Sequence, residues 1–224
     1  VLFAPLAYLG ASGGLLVLQS AAVAMGVVPI FAIAKGRKIS PLAALAICLG
    51  YLFAMGTQSM INFDFHEIAL VPASLLFAFW ALEIKKTRLF IVATLLIFLS
   101  KESAIVYAGA LGFYAFLFAP GMRRVGLLVF IVCVPAFFFV VGVLQPALLE
   151  GGPQGMIHLA RFKAFGDTAP EAFLNMLSTP GKAFFMLVAP AVKAKTWLVT
   201  LGTFAFLPLL APELFVVMLP NLME

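Results

Sequence analysis

The chain has 224 residues, 64% of them hydrophobic and only 10% charged, and carries a formal net charge of +5. Its mean hydropathy is +1.16. That excludes a water-soluble domain, since apolar runs of about 20 residues recur and such runs match a hydrocarbon core roughly 30 Å thick. Alternating strands of about ten residues are not visible, which argues against a transmembrane barrel. The positive charge is not a nucleic-acid signal, because the basic residues fall in short clusters between apolar runs, as cytoplasmic loops do. The expected fold class is all-α: a polytopic transmembrane bundle of about seven or eight membrane helices, some half-length. Cys48 and Cys133 both lie inside apolar segments, without metal spacing.

Val1 to Leu9 reads as the tail of an apolar element, and the chain as a fragment of a longer protein forming one transmembrane domain over 1–224. Ala11-Ser12-Gly13-Gly14 reads as a turn. Leu15 to Ala34 is a full span, followed by Lys35-Gly36-Arg37-Lys38. Pro41 opens a second span, to about Ile61. A polar island follows, Asn62-Phe63-Asp64-Phe65-His66-Glu67. Ile68 to Leu82 is the third span, with Pro72 in its first turns, and Lys85-Lys86-Thr87-Arg88 comes next.

Leu89 to Ala119 is too long for one crossing. As a single helix it would extend about 46 Å. It would also place Lys85–Arg88 and Arg123-Arg124 on opposite sides, against the positive-inside bias. A hairpin turning at Ser100-Lys101-Glu102-Ser103 puts both clusters on one side. Its first arm, Leu89 to Leu99, is then about 17 Å long, so the tip sits below the far membrane surface. Charges at such depth mark a functional site by default.

Val125 to Leu144 crosses again. Residues 145–180 form an outer-face loop, with His158, Arg161, Lys163 and Asp167 in its polar part. Thr168-Ala169-Pro170-Glu171 has the pattern of a capping box with proline in the first turn. It predicts a short interfacial helix with Phe173, Met176 and Leu177 on one face. Thr179-Pro180 starts another helix, to about Lys195. Trp197 to Ala211 is expected to cross, before a last apolar run to Pro220.

The three basic clusters hold eight of the 14 Lys and Arg residues, and even numbers of crossings separate them. All three are therefore expected on the cytoplasmic side, and both polar islands on the outer side. Asp64, His66 and Glu67 together suit acid/base work or metal binding. Asp64 and Glu67 alone also have the spacing of a helix cap and its partner. Lys101 and Glu102 suit a lipid phosphate and a metal or hydroxyl. The blander alternative is a structural ion pair at a hairpin tip, against which the depth of the tip argues. Arg161 and Lys163 read as interfacial cations against anionic headgroups, or as a clamp for a donor phosphate. No Walker loop, dinucleotide fingerprint or Ser-His-Asp pattern is present.

Three features together carry a resemblance. They are Asn62–Glu67 before an apolar helix, Lys101-Glu102 about 35 residues later, and the ending Phe206-Leu207-Pro208-Leu209-Leu210-Ala211-Pro212-Glu213-Leu214 with Leu219-Pro220-Asn221-Leu222. The chain resembles an uncharacterised family of prokaryotic polytopic membrane proteins, a domain of unknown function grouped with the GT-C glycosyltransferases. The resemblance covers essentially the whole chain. It implies sugar transfer from a polyprenyl-phosphate-linked donor on the outer face of the cell membrane. The implied roles are acid/base or metal support for Asp64, Glu67, His66 and Glu102, and phosphate binding for Lys101, Arg161 and Lys163. A divalent cation is the candidate cofactor. The superfamily's best-known carboxylate would precede Val1. Ser103 stands where the family's lysine-glutamate motif often continues with an acid. The alternatives are a transporter or flippase of a lipid-linked or anionic solute, and a structural membrane subunit.

Overall fold

Among the described residues, twelve α-helices follow the apolar pattern of the chain. The structure, a computed structural model, describes residues 11–148, 163–188, 191–203 and 207–218. No strand occurs among them. The helices are α1 Ala11–Ala24, α2 Val27–Gly36, α3 Pro41–Phe53, α4 Met55–Ile61, α5 Val71–Glu83 and α6 Thr87–Ser100. Next come α7 Ala104–Phe118, α8 Arg123–Phe139, α9 Gln145–Leu148, α10 Ala169–Ser178, α11 Pro180–Val188 and α12 Ala191–Thr203.

Among the described residues two helical runs are long and apolar enough to cross a membrane, Gly13–Gly36 and Arg123–Leu148. A third counts if the bent pair α3–α4 is one span, with its 51° bend at Ala54. Thr87–Ser100 and Ala104–Phe118 are shorter apolar helices. At 14 residues α6 is about 21 Å long, less than the hydrocarbon thickness. The surface fits a lipid solvent rather than water. Val17, Leu42 and Phe53 are each at least 70% exposed, and contiguous apolar surface of this kind does not persist in water.

The core lies between α5, α6, α7 and α8. Phe90, Ile97 and Leu111 are fully buried there, surrounded by small residues such as Ala78, Ala81, Ala93, Ala104, Ala108 and Ala115. Small side chains let helices approach closely, which is how helices associate where no hydrophobic driving force separates them from lipid. The closest approach is between α7 and α8. A Cβ placed on Gly112 would come within 2.8 Å of the Gly126 carbonyl oxygen, and one on Gly126 within 2.7 Å of the Gly112 carbonyl oxygen.

The expected hairpin is present. Lys101 is extended, with φ −156° and ψ 157°, and it ends α6. The Thr87 hydroxyl at the start of α6 donates to Met122 Sδ at 3.5 Å, so α7 runs back along α6. Ser100 does not contribute to a polar tip, because its hydroxyl donates to the Leu96 carbonyl inside its own helix at 2.6 Å.

All three basic turns close the same end. The Lys85 stem packs over Gly121, beside Arg123 and Arg124. Arg37 pairs with Glu83 across the other two turns. Two of these turns are built alike. Ile39 N–H reaches the Ala34 carbonyl and Lys38 N–H the Lys35 carbonyl, at 3.0 and 3.1 Å. Lys86 N–H reaches Ala81 and Lys85 N–H reaches Leu82, at 2.9 and 3.2 Å. Both are Schellman endings, with a left-handed residue just past the helix. Lysine fills that place in each, Lys38 with φ 57° and Lys85 with φ 54°.

The structure corrects several boundaries. Ala11–Gly14 is the first turn of α1 and not a loop. The helix expected from Pro180 to about Lys195 is described as Pro180–Val188 and, in α12, from Ala191 onward, with residues 189 and 190 outside the described residues. Trp197 to Ala211 is not one continuous α-helix: α12 runs to Thr203, residues 204–206 lie outside the described residues, and 3-10 turns stand at Leu207–Leu210 and Pro212–Leu214. Pro208 and Pro212 lack the N–H a helix needs there. The chain then folds back, stacking Phe215 on Trp197 at 6.1 Å.

Candidate functional site

The polar island Asn62–Glu67 is a loop between α4 and a 3-10 turn, Glu67–Leu70. Asp64 does not cap the helix that follows. The residue before the 3-10 turn is His66, in an extended conformation and without a side-chain cap bond. The capping explanation of the Asp64/Glu67 spacing therefore fails. Asp64 is exposed, while His66 and Glu67 are half-buried.

Gln19 of α1 ties this loop down. It is 1% exposed. Its amide nitrogen donates to the Met60 carbonyl at 2.8 Å and the Phe63 carbonyl at 3.2 Å. Its carbonyl oxygen accepts from the His66 backbone N–H at 2.8 Å. A buried polar group must be satisfied or it costs stability, and here one amide meets the Met60 carbonyl at the end of α4 and two loop groups at once. The imidazole is also held. Its Nδ1 lies 2.7 Å from the Asp64 carbonyl oxygen, and the Phe63 ring leans on it at 5.1 Å. Sequence reasoning passed over Gln19 as part of a span. The available signal was a lone amide in an apolar run, since polar residues in membrane helices are expensive and need partners.

The second island, Lys101-Glu102-Ser103, is the turn between α6 and α7, and all three residues are half-buried. The Glu67–Leu70 turn packs against α6 as well as α1 and α5. The basic turns hold the start of α6, so its far end, with Lys101, lies at the same end of the bundle as Asn62–Glu67. Lys101 follows the C-terminus of one helix and Glu102 precedes the N-terminus of the next. Those are the positions at which each charge complements a helix dipole.

Arg161 and His158 lie outside the described residues. Lys163 is exposed, in the turn that leads to α10. The Thr168 cap is formed: its Oγ1 accepts from Glu171 N–H at 3.4 Å. The returning Glu171 carboxylate meets Asp167 N–H at 3.2 Å, one residue upstream of the usual partner. On α10 Phe173 meets the Phe138 ring of α8 at 5.7 Å, while Leu174 and Leu177 stay exposed. Lys182 of α11 donates to the Ala164 carbonyl at 2.7 Å and sits 5.0 Å over the Phe165 ring, so it fastens this loop. Among the described residues no three of His, Cys, Asp and Glu converge as a metal ion requires. Asp64, His66, Glu67 and Glu102 do not by themselves make a metal site.

The apolar surface, the half-length hairpin and the polar turns at one end define a helical membrane protein. The chain belongs to the family described as predicted membrane protein (DUF2079), whose family model matches residues 1–223. No curated protein and no solved structure matches the chain.

Proposed function

We propose that the protein is a multi-pass glycosyltransferase of GT-C type, or a degenerate relative, in a prokaryotic cell membrane, with about seven or eight crossings. Its donor would be a polyprenyl-phosphate-linked sugar at the outer face. One observation carries this reading: the Asn62–Glu67 loop and the Lys101–Ser103 turn close the bundle end opposite the three basic turns. The positive-inside bias makes the basic end cytoplasmic, and the polar turns then face outward.

The proposed chemistry is a displacement at the sugar. Asp64 or Glu67 deprotonates the acceptor hydroxyl, and His66 orients a carboxylate or contacts the donor phosphate. Glu102 orients a hydroxyl. Lys101, with Arg161 and Lys163 from the loop, neutralises the departing phosphate, as any phosphate leaving group requires. A divalent cation here would take most of its ligands from the donor phosphates, since the protein carboxylates do not converge; magnesium is often held that way.

The test is incubation of the purified full-length protein with radiolabelled polyprenyl-phosphate sugars, followed by product analysis. Transfer to an acceptor supports the reading. Intact donor after prolonged incubation with candidate acceptors, together with labelled lipid exchanged between leaflets, supports a flippase instead. The half-length hairpin α6–α7 and the bent pair α3–α4 fit that second reading as well as the first, since broken helices also line transport sites.

A further inference from the structure

His66 is held from three directions. Gln19 Oε1 takes its backbone N–H, the Asp64 carbonyl takes its ring Nδ1, and the Phe63 ring stands tilted 54° against it. A carbonyl oxygen only accepts hydrogen bonds. At 2.7 Å the ring nitrogen facing it must be the donor, so Nδ1 carries the hydrogen. In the neutral ring Nε2 then has a free lone pair. A histidine side chain free in water prefers the opposite tautomer, with the hydrogen on Nε2. The loop that makes this contact is fixed by Gln19, which spends both amide hydrogens on the Met60 and Phe63 carbonyls.

We propose that Gln19 is a positioning residue and that neutral His66 is locked with its hydrogen on Nδ1, making Nε2 the proton acceptor of the site. The chemistry rests on the glycosyl-transfer reading. His66 thereby takes over the base role given above to Asp64 or Glu67: the acceptor O–H gives its proton to His66 Nε2 as the acceptor oxygen bonds to the sugar's anomeric carbon. The bond from that carbon to the phosphate oxygen breaks, and its electron pair leaves on the lipid phosphate. Asp64 contributes to the lock through its backbone carbonyl, so its carboxylate is not needed for the tautomer.

Nitrogen-15 labelling of histidine restricts the spectrum to imidazole signals, of which this chain contributes 2. The full-length protein is measured at alkaline pH, and His66→Asn identifies the His66 signals. The expected result is a protonated Nδ1 and an unprotonated Nε2. Asp64→Asn should keep that pattern, and Gln19→Leu should shift it toward hydrogen on Nε2. Gln19→Glu keeps the acceptor for His66 but removes both amide N–H donors to the Met60 and Phe63 carbonyls, and should shift it in the same direction. Hydrogen on Nε2 in the unaltered protein overturns the lock. An unchanged tautomer in both Gln19 variants overturns the positioning role. No sugar transfer with the lock present would sink the glycosyltransferase reading alone, whereas transfer without the lock would sink only this inference.

Discussion

Arg37 grips Glu83 with two parallel bonds, Nε to Oε1 at 3.0 Å and Nη2 to Oε2 at 2.9 Å. This pair ties the turn after α2 to the turn after α5, across 46 residues of sequence. Fork-to-fork geometry is the strong form of such a contact. Both partners are well exposed, however, so the contribution is expected at about 0.2–1 kcal/mol. Glu83→Gln should lower the melting temperature in detergent slightly, and the difference should shrink in high salt. The bond to Arg37 holds Glu83 below the usual carboxylate range. A depressed folded value means the stabilisation is present above the ordinary range and lost as pH falls through the lowered value. Wild type and Glu83→Gln should therefore converge in melting temperature on acidification; a difference that grows instead would refute the pair's role.

Lys38 and Lys85 occupy left-handed positions that suit glycine. The left-handed conformation costs a side-chain residue roughly 1–2 kcal/mol. Lys38→Gly and Lys85→Gly should each leave the protein as stable or more so, by about 1 kcal/mol at most after the greater freedom of glycine in the unfolded chain is counted. Thermal unfolding of the two variants checks this. A fall of several degrees in either would show that the lysine side chain outweighs the backbone strain.

Gly112 and Gly126 hold α7 and α8 in contact. A methyl group on Gly112 would sit 2.8 Å from the Gly126 carbonyl oxygen and from Phe130 N, both backbone atoms that cannot step aside. Gly112→Ala and Gly126→Ala should each destabilise by about 1–3 kcal/mol, the usual cost of overpacking. Gly142, with nothing within 4 Å of an added Cβ, is the control. Equal effects at all three positions would mean helix propensity decides and not packing.

The basic end should face the cytoplasm. Cysteine introduced at Lys86 or Arg124 should resist an impermeant thiol reagent in intact cells, and cysteine at Asn62 should react. Native Cys48 and Cys133 are buried, which keeps the background low. Ready labelling at Lys86 would invert the topology and place the polar turns inside.

Alanine at Asp64, His66, Lys101 or Glu102 should abolish function of the full-length protein while leaving membrane insertion intact. Thr168→Ala removes the cap of α10 and should cost roughly 1 kcal/mol of local helix stability with little effect on function. Complementation of a deletion strain, with immunoblots of membrane fractions, separates the two cases. Full complementation by all four alanine variants would rule out the proposed site.

The apolar runs and their punctuation already specified helices, the break at Lys101 and the Thr168 cap, because period, proline and capping chemistry are local. Charge clustering anticipated that the basic turns share one end, since whole crossings between like-charged loops leave no other arrangement. What the sequence could not specify is which groups meet across many residues. Gln19 reaches the 60–66 loop from more than 40 positions away, and nothing near it in the chain names its partners. The capping pattern at Asp64 misled for the same reason: the loop takes its geometry from Gln19 and not from the helix that follows. Only the tertiary structure turned three polar residues of a loop into one oriented imidazole, because a buried amide must satisfy its hydrogen bonds wherever the fold supplies them.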